Sequence, residues 1–225
     1  MRLRLFKRST PNTTDRILRG IAAHPGIGPG SRILLNGSCD DGVVRGLLSL
    51  GCLVTLGTDC QAKAEQLEAR FPEADCSNAV VARHQFDRQA IDFDLIATFP
   101  GLAPLKSNLL TLSAMNATAA LIGCLRPSGV YLMLPLDDAQ NSQSHSARCC
   151  VRHLGAFVAA AQATGTVLRC SSSRAPLFEM ASVTAPDERR PFDAWHDIAQ
   201  RAVDESLADP CCEVGELHKP KRPAA

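Results

Sequence analysis

The segment NGSCDDG, residues 36–42, gathers side chains that could do chemistry at the end of a strand. Gly37 and Gly42 bracket a thiol, Cys39, and two carboxylates, Asp40 and Asp41. Glycines in such a turn supply positive φ and let a ligand come close to the backbone. Asp59 closes the next apolar run, VTLGTD, about 20 residues further on, where an acidic side chain would take a pair of ribose hydroxyls. Together these features could hold a nucleotide-bearing ligand. Each also has a plainer use. Carboxylates in a helix's first turn satisfy orphan N–H groups and complement the helix dipole, worth about 0.3–1 kcal/mol each. Asp59 could equally cap the helical segment that begins at Gln61.

Other candidates are more scattered. His84, His145 and His153 have acid–base chemistry near neutral pH. His145 lies in the polar stretch DDAQNSQSHS, His84 in a strand-like run and His153 in an apolar helical one. Asp137 and Asp138 could act as general bases or simply be solvated. Trp195 reads as the anchor of an amphipathic C-terminal helix. The chain has 10 cysteines but no CxxC, and the pairs at 149–150 and 211–212 lack the spacing of a tetrahedral zinc site. Small apolar filler is the expected use of these thiols, and no metal is expected.

The elements that must position the loop alternate in type. RILLN (32–36) is a continuous apolar run, as suits a parallel strand covered on both faces. Further strands are expected at 52–58, 78–85, 93–99 and 129–136, with helices near 42–50, 60–70, 107–125 and 147–164. The stop signal RPSG (126–129) should end the third of these helices. Past Gly165, TVLRCSSS (166–173) and APLFEMASVT (175–184) follow each other too closely for a parallel crossover, so an antiparallel hairpin is expected. Residues 1–30 form an N-terminal helical segment with one helix near 13–23, and residues 31–185 the main domain. Residues 186–225 supply a helix near 191–208 and a polar tail expected to be disordered.

Composition narrows the function class. With 225 residues and 45% hydrophobic content the chain can bury a large core. A formal net charge of +1 gives no electrostatic footprint for nucleic acid, and 4% aromatics is thin for base stacking. No apolar run is long enough to span a membrane, and no secretory signal follows the basic N-terminus. The expectation is a cytoplasmic protein with reduced thiols and a small-molecule ligand. Oligomeric state is not legible.

In order and spacing, GSRILLNGSCDDG, VTLGTD, FDLIATFPGL and LIGCLRPSGVYLMLPL resemble the class I S-adenosylmethionine-dependent methyltransferases over about 17–184. The resemblance implies an α/β, Rossmann-like fold: a mostly parallel seven-stranded sheet with an antiparallel C-terminal hairpin and helices on both faces. It implies S-adenosylmethionine as cofactor. Gly37, Ser38, Cys39 and Gly42 would line the methionine end, Asp59 would hold the ribose, Cys60 would flank the adenine, and Phe99 and Pro100 would floor the site near the methyl group. TFPG lacks the Pro-Pro-aromatic motif of the amino-directed nucleic-acid enzymes. The family's acid two residues before the first glycine is replaced by Leu35, its middle glycine by Cys39, and one glycine of the later motif by Ser128. Asp87 is the nearest counterpart of the acid after the third strand. Two other readings follow from those departures: a non-enzymatic protein on the same fold, or an oxidoreductase using NAD at Gly37, Cys39 and Gly42. In the second, two carboxylates beside the loop would oppose a pyrophosphate.

Overall fold

RILLN becomes a buried strand because apolar side chains on both its faces find a helix layer to pack against. In a computed structural model, which describes residues 13–22, 24, 26–37, 39–58, 61–77, 93–99, 112–133, 145–166, 168–175, 178–184 and 192–208, it is β1 (Arg32–Gly37). The other strands are β2 (Leu53–Gly57), β3 (Asp75–Ser77), β4 (Phe93–Phe99), β5 (Leu125–Met133), β6 (Arg169–Ala175) and β7 (Phe178–Thr184). The helices are α1 (Thr13–Ala22), α2 (Asp41–Ser49), α3 (Gln61–Arg70), α4 (Leu112–Gly123), α5 (His145–Ala163) and α6 (Phe192–Ala208). Seven strands form one sheet in the order β3-β2-β1-β4-β5-β7-β6. The pairings from β3 to β5 are parallel, and β7 runs antiparallel to both β5 and β6. This is the α/β, Rossmann-like architecture of the class I methyltransferases.

The alternation of side chains along each strand divides the core in two. Leu34 and Ile96 point to one face, where Met115 and Ile122 of α4, Phe157 of α5 and Trp195 of α6 cover them. Ile33, Leu35, Leu95 and Ala97 point to the other, under Ile17 and Ile21 of α1 and Val43 and Leu47 of α2. Burying each such side chain is worth about 1.5–3 kcal/mol, so the two layers fix both strand register and helix placement. Trp195 is an anchor: it is buried and stacks on Phe157 with ring centroids 6.4 Å apart.

The strand expected at 78–85 lies outside the described residues, and the third described strand is Asp75–Ser77. Two expectations are corrected. Helix α4 ends at Gly123, so RPSG does not stop it. That tetrapeptide instead belongs to β5, which starts at Leu125 and not at residue 129. Between Leu125, paired with Phe93, and Val130, paired with Leu95, β5 bulges around Phe93. The turn requires a left-handed residue, and Ser128 holds it at φ 60. A side chain at the next position would come within 2.9 Å of the Phe93 and Arg126 carbonyls, which is why Gly129 follows.

Candidate functional site

In an open α/β sheet a ligand is met at the carboxyl ends of the strands, where the strand order reverses. Here that point lies between β1 and β4. Gly37 ends β1 directly opposite Phe99, the last residue of β4. It has φ 98, and a Cβ there would sit 2.5 Å from the Phe99 carbonyl oxygen. Glycine is thus required twice at this position, by conformation and by the closeness of the two backbones. Phe99 itself is buried in the core beneath α1 and α2.

After Gly37 the chain turns into α2, and the polar groups of the loop find protein partners. The Asp40 carboxylate caps the helix by accepting the Gly42 N–H at 2.8 Å, and it also accepts the Thr14 hydroxyl at 3.0 Å. Asp41 pairs with Arg70 at the end of α3. Neither carboxylate is therefore an unengaged substitute for the acid missing at Leu35. Cys39 packs against the α1–α2 core and its thiol donates to the Asp40 carbonyl at 3.4 Å. Burial foremost, then the charges of Asp40 and Asp41, push that thiol up to about 12, so it stays protonated and is no nucleophile at neutral pH.

Gly42 faces α1. A Cβ on it would come within 2.7 Å of Thr14 Cγ2, and one on Gly46 within 2.5 Å of Leu18 Cδ1. Glycines four apart on α2 thus meet side chains four apart on α1, and the N-terminal helix lies close against the loop's own helix. The sequence singled out Gly42 as a loop glycine; its position in the structure is a helix–helix contact.

The sheet carries one further feature at the same edge, which sequence reasoning passed over. Leu35 is only 1% exposed and points into the α1–α2 core. The next residue, Asn36, points to the opposite face and pairs in register with Thr98 of β4. They are 2% and 5% exposed, and Asn36 Oδ1 and Thr98 Oγ1 have no hydrogen-bond partner among the described residues. A polar residue next to last in each of two largely apolar strands was the signal in the sequence.

The remaining candidates fall apart from this edge or outside the described residues. Ser38, Asp59, Cys60, Pro100, His84, Asp87, Asp137 and Asp138 lie outside them. His145 begins α5. His153 is buried between α5 and α4, with Nε2 2.8 Å from the Thr118 hydroxyl, and burial lowers its pKa to about 4. It is a neutral core residue. No cluster of three metal-ligating side chains occurs among the described residues, and no helix among them is long and apolar enough to cross a membrane.

Neither a family model nor a curated protein matches the sequence. Solved structures do. A candidate sarcosine dimethylglycine methyltransferase from Galdieria sulphuraria superimposes with a TM-score of 0.51 at 13% identity, over 78% of this chain and 85% of that one. A candidate zinc-dependent alcohol dehydrogenase from Rhodobacter sphaeroides reaches the same TM-score and identity, over 81% and 92%. Likeness at this level is likeness of fold, and one fold serves several chemistries. What the chain shares with the methyltransferase is the Rossmann-like α/β scaffold.

Proposed function

We propose that the protein is an S-adenosylmethionine-dependent methyltransferase acting on a small molecule. The observation that carries this reading is the closing of the sheet. The dinucleotide-binding fold continues its order as 3-2-1-4-5-6, whereas here the antiparallel β7 is inserted between β5 and β6. The sequence resemblance, which spans all the strands, points the same way.

In this reading Gly37, Ser38 and Cys39 line the methionine end of the cofactor, and Gly42 supports the loop through its capped N–H. Asp59 takes the ribose hydroxyls and Cys60 flanks the adenine. Phe99 and Pro100 form the floor beneath the acceptor. The cofactor supplies an electrophilic methyl group, and the protein's task is to hold an acceptor in line with it while excluding water. Proximity and orientation can provide most of the rate, so no side-chain base is obligatory.

A second reading, a non-enzymatic protein on this scaffold, draws on the burial of Leu35 in the apolar core where the family places an acid. Calorimetric titration of the reduced protein with S-adenosylmethionine and S-adenosylhomocysteine, with NAD as control, separates the readings. Micromolar affinity for the cofactor and its demethylated product, abolished by Asp59→Ala, is the expected result. Silence with both up to millimolar ligand sinks the enzyme reading in favour of the second. Affinity for NAD alone would assign the loop to a different cofactor.

A further inference from the structure

Among the described residues, the polar features that stand out beyond the roles given so far are the unpaired Nδ1 of His153, the thiol of Cys39, and the couple Asn36–Thr98. The first sits deep between helices and the second is a lone protonated thiol already in contact with its own loop. The third lies at the point where a ligand is met.

Asn36 and Thr98 are register partners on neighbouring parallel strands, which run about 4.8 Å apart. Asn36 shares its face with Leu34, and Thr98 with Ile96, so both side chains leave the sheet on the same side. Each is followed immediately by the strand's final residue, Gly37 or Phe99. Across β2 the register partner of Asn36 is Gly57, which contributes no side chain to the row. Two buried oxygens thus stand side by side at the switch point without a hydrogen bond among the described residues. Buried polar atoms are otherwise satisfied in folded proteins, and an orphan destabilises the fold unless something else meets it.

We infer that Asn36 and Thr98 form a neutral acceptor couple that takes the amino group of the bound cofactor. Asn36 Oδ1 accepts one N–H and Thr98 Oγ1 a second, and no carboxylate is needed. This rests on the reading under Proposed function and adds to it the residues that recognise the amino-acid end of the ligand. Their place beside Gly37, which the resemblance sets at the methionine end, is the reason for choosing it over the nucleoside end.

The test compares the full-length wild type with Asn36→Leu, Thr98→Val and the double variant, all close in shape to the native side chains. Without ligand, each variant removes an orphaned polar atom, so the double variant should melt about 3 °C or more above the wild type. Titrated with S-adenosylhomocysteine, it should bind at least tenfold more weakly. With 5′-methylthioadenosine, which lacks the amino-acid end, it should bind as the wild type does.

A lower melting temperature in the variants would mean that both atoms are partnered inside the fold, and would overturn the inference whatever the ligand result. Unchanged affinity for S-adenosylhomocysteine, against a wild type that binds it, overturns the inference and leaves the methyltransferase reading intact. Equal weakening toward 5′-methylthioadenosine also overturns it, because the contact would then be to the nucleoside. A wild type that binds neither S-adenosylmethionine nor its demethylated product removes the reading and the inference together.

Discussion

The two faces of the sheet treat polar side chains in opposite ways. On the face covered by α1 and α2, the conspicuous groups of the loop have protein partners: Asp40 with Gly42 and Thr14, Asp41 with Arg70, Cys39 with a carbonyl. On the face covered by α4, α5 and α6 the described core is larger, and it holds Asn36 Oδ1, Thr98 Oγ1 and His153 Nδ1 without partners among the described residues. Asp40, Asp41 and Cys39, the loudest of the described loop residues, are therefore occupied in holding the fold. Among the described residues, the spare hydrogen-bonding capacity belongs to ones that read as strand and helix interior. Chemical character identifies what a side chain can do, and only its neighbours decide whether it is free to do it.

The most severe way to break this comparison is at the seam the two faces share. Gly37→Ala adds a Cβ against the Phe99 carbonyl at a position with φ 98, so both strain and overlap act together. A loss of roughly 3–4 kcal/mol is expected in urea unfolding. A loss below about 1 kcal/mol would mean that β1 and β4 separate easily, and that the switch point is not rigid.

The buried histidine sharpens the contrast through pH. His153 has a folded pKa of about 4 against 6.5 for an unperturbed side chain. In the window between these values the unfolded chain takes up a proton that the folded chain refuses. Its contribution is therefore fully present above pH 6.5 and is lost as pH falls toward 4, amounting to roughly 3 kcal/mol over the window. Denaturation midpoints measured from pH 7.5 to 4.5 should drop accordingly, and His153→Leu should remove most of that slope. An identical slope in the variant would assign the acid sensitivity to other groups.

On the α1–α2 face the effects should be smaller. Asp40→Ala removes the cap of α2 and the acceptor for Thr14, which should reduce stability by about 1 kcal/mol. Hydrogen exchange in α1 should rise with it, because Thr14 loses its link to the loop. Exchange in α1 that stays at the wild-type level would show that Leu18 against Gly46 holds the helix alone.

The smallest effect has the opposite sign. Ser128 occupies a left-handed position that glycine adopts without strain. Ser128→Gly should raise stability by about 1 kcal/mol in the same unfolding assay. A destabilised variant would indicate that contacts of the serine side chain outweigh the backbone strain.

Much of the scaffold was legible because its signals are local or periodic. The apolar run 32–36, the closeness of the two C-terminal strands and the capping pattern of Asp40 each follow from a few consecutive residues. RPSG was misjudged for a physical reason. Pro and Gly mark a turn, but whether it ends a helix or lets a strand bulge around Phe93 depends on a residue more than thirty positions away. The same holds for Gly42, whose place in the glycine-bracketed segment NGSCDDG suggested a ligand loop, while the structure sets it against Thr14.

By itself, then, the sequence determined the alternation of strands and helices and the position of the first loop, because hydrophobic period and turn chemistry are written in neighbouring residues. It also determined that Leu35 and Cys39 depart from the expected loop. Tertiary structure alone decided which polar groups remain unpaired. Hydrogen-bond satisfaction depends on partners brought together across strands and helices. Asn36 and Thr98 are 62 positions apart and meet only because β1 and β4 are adjacent in the sheet.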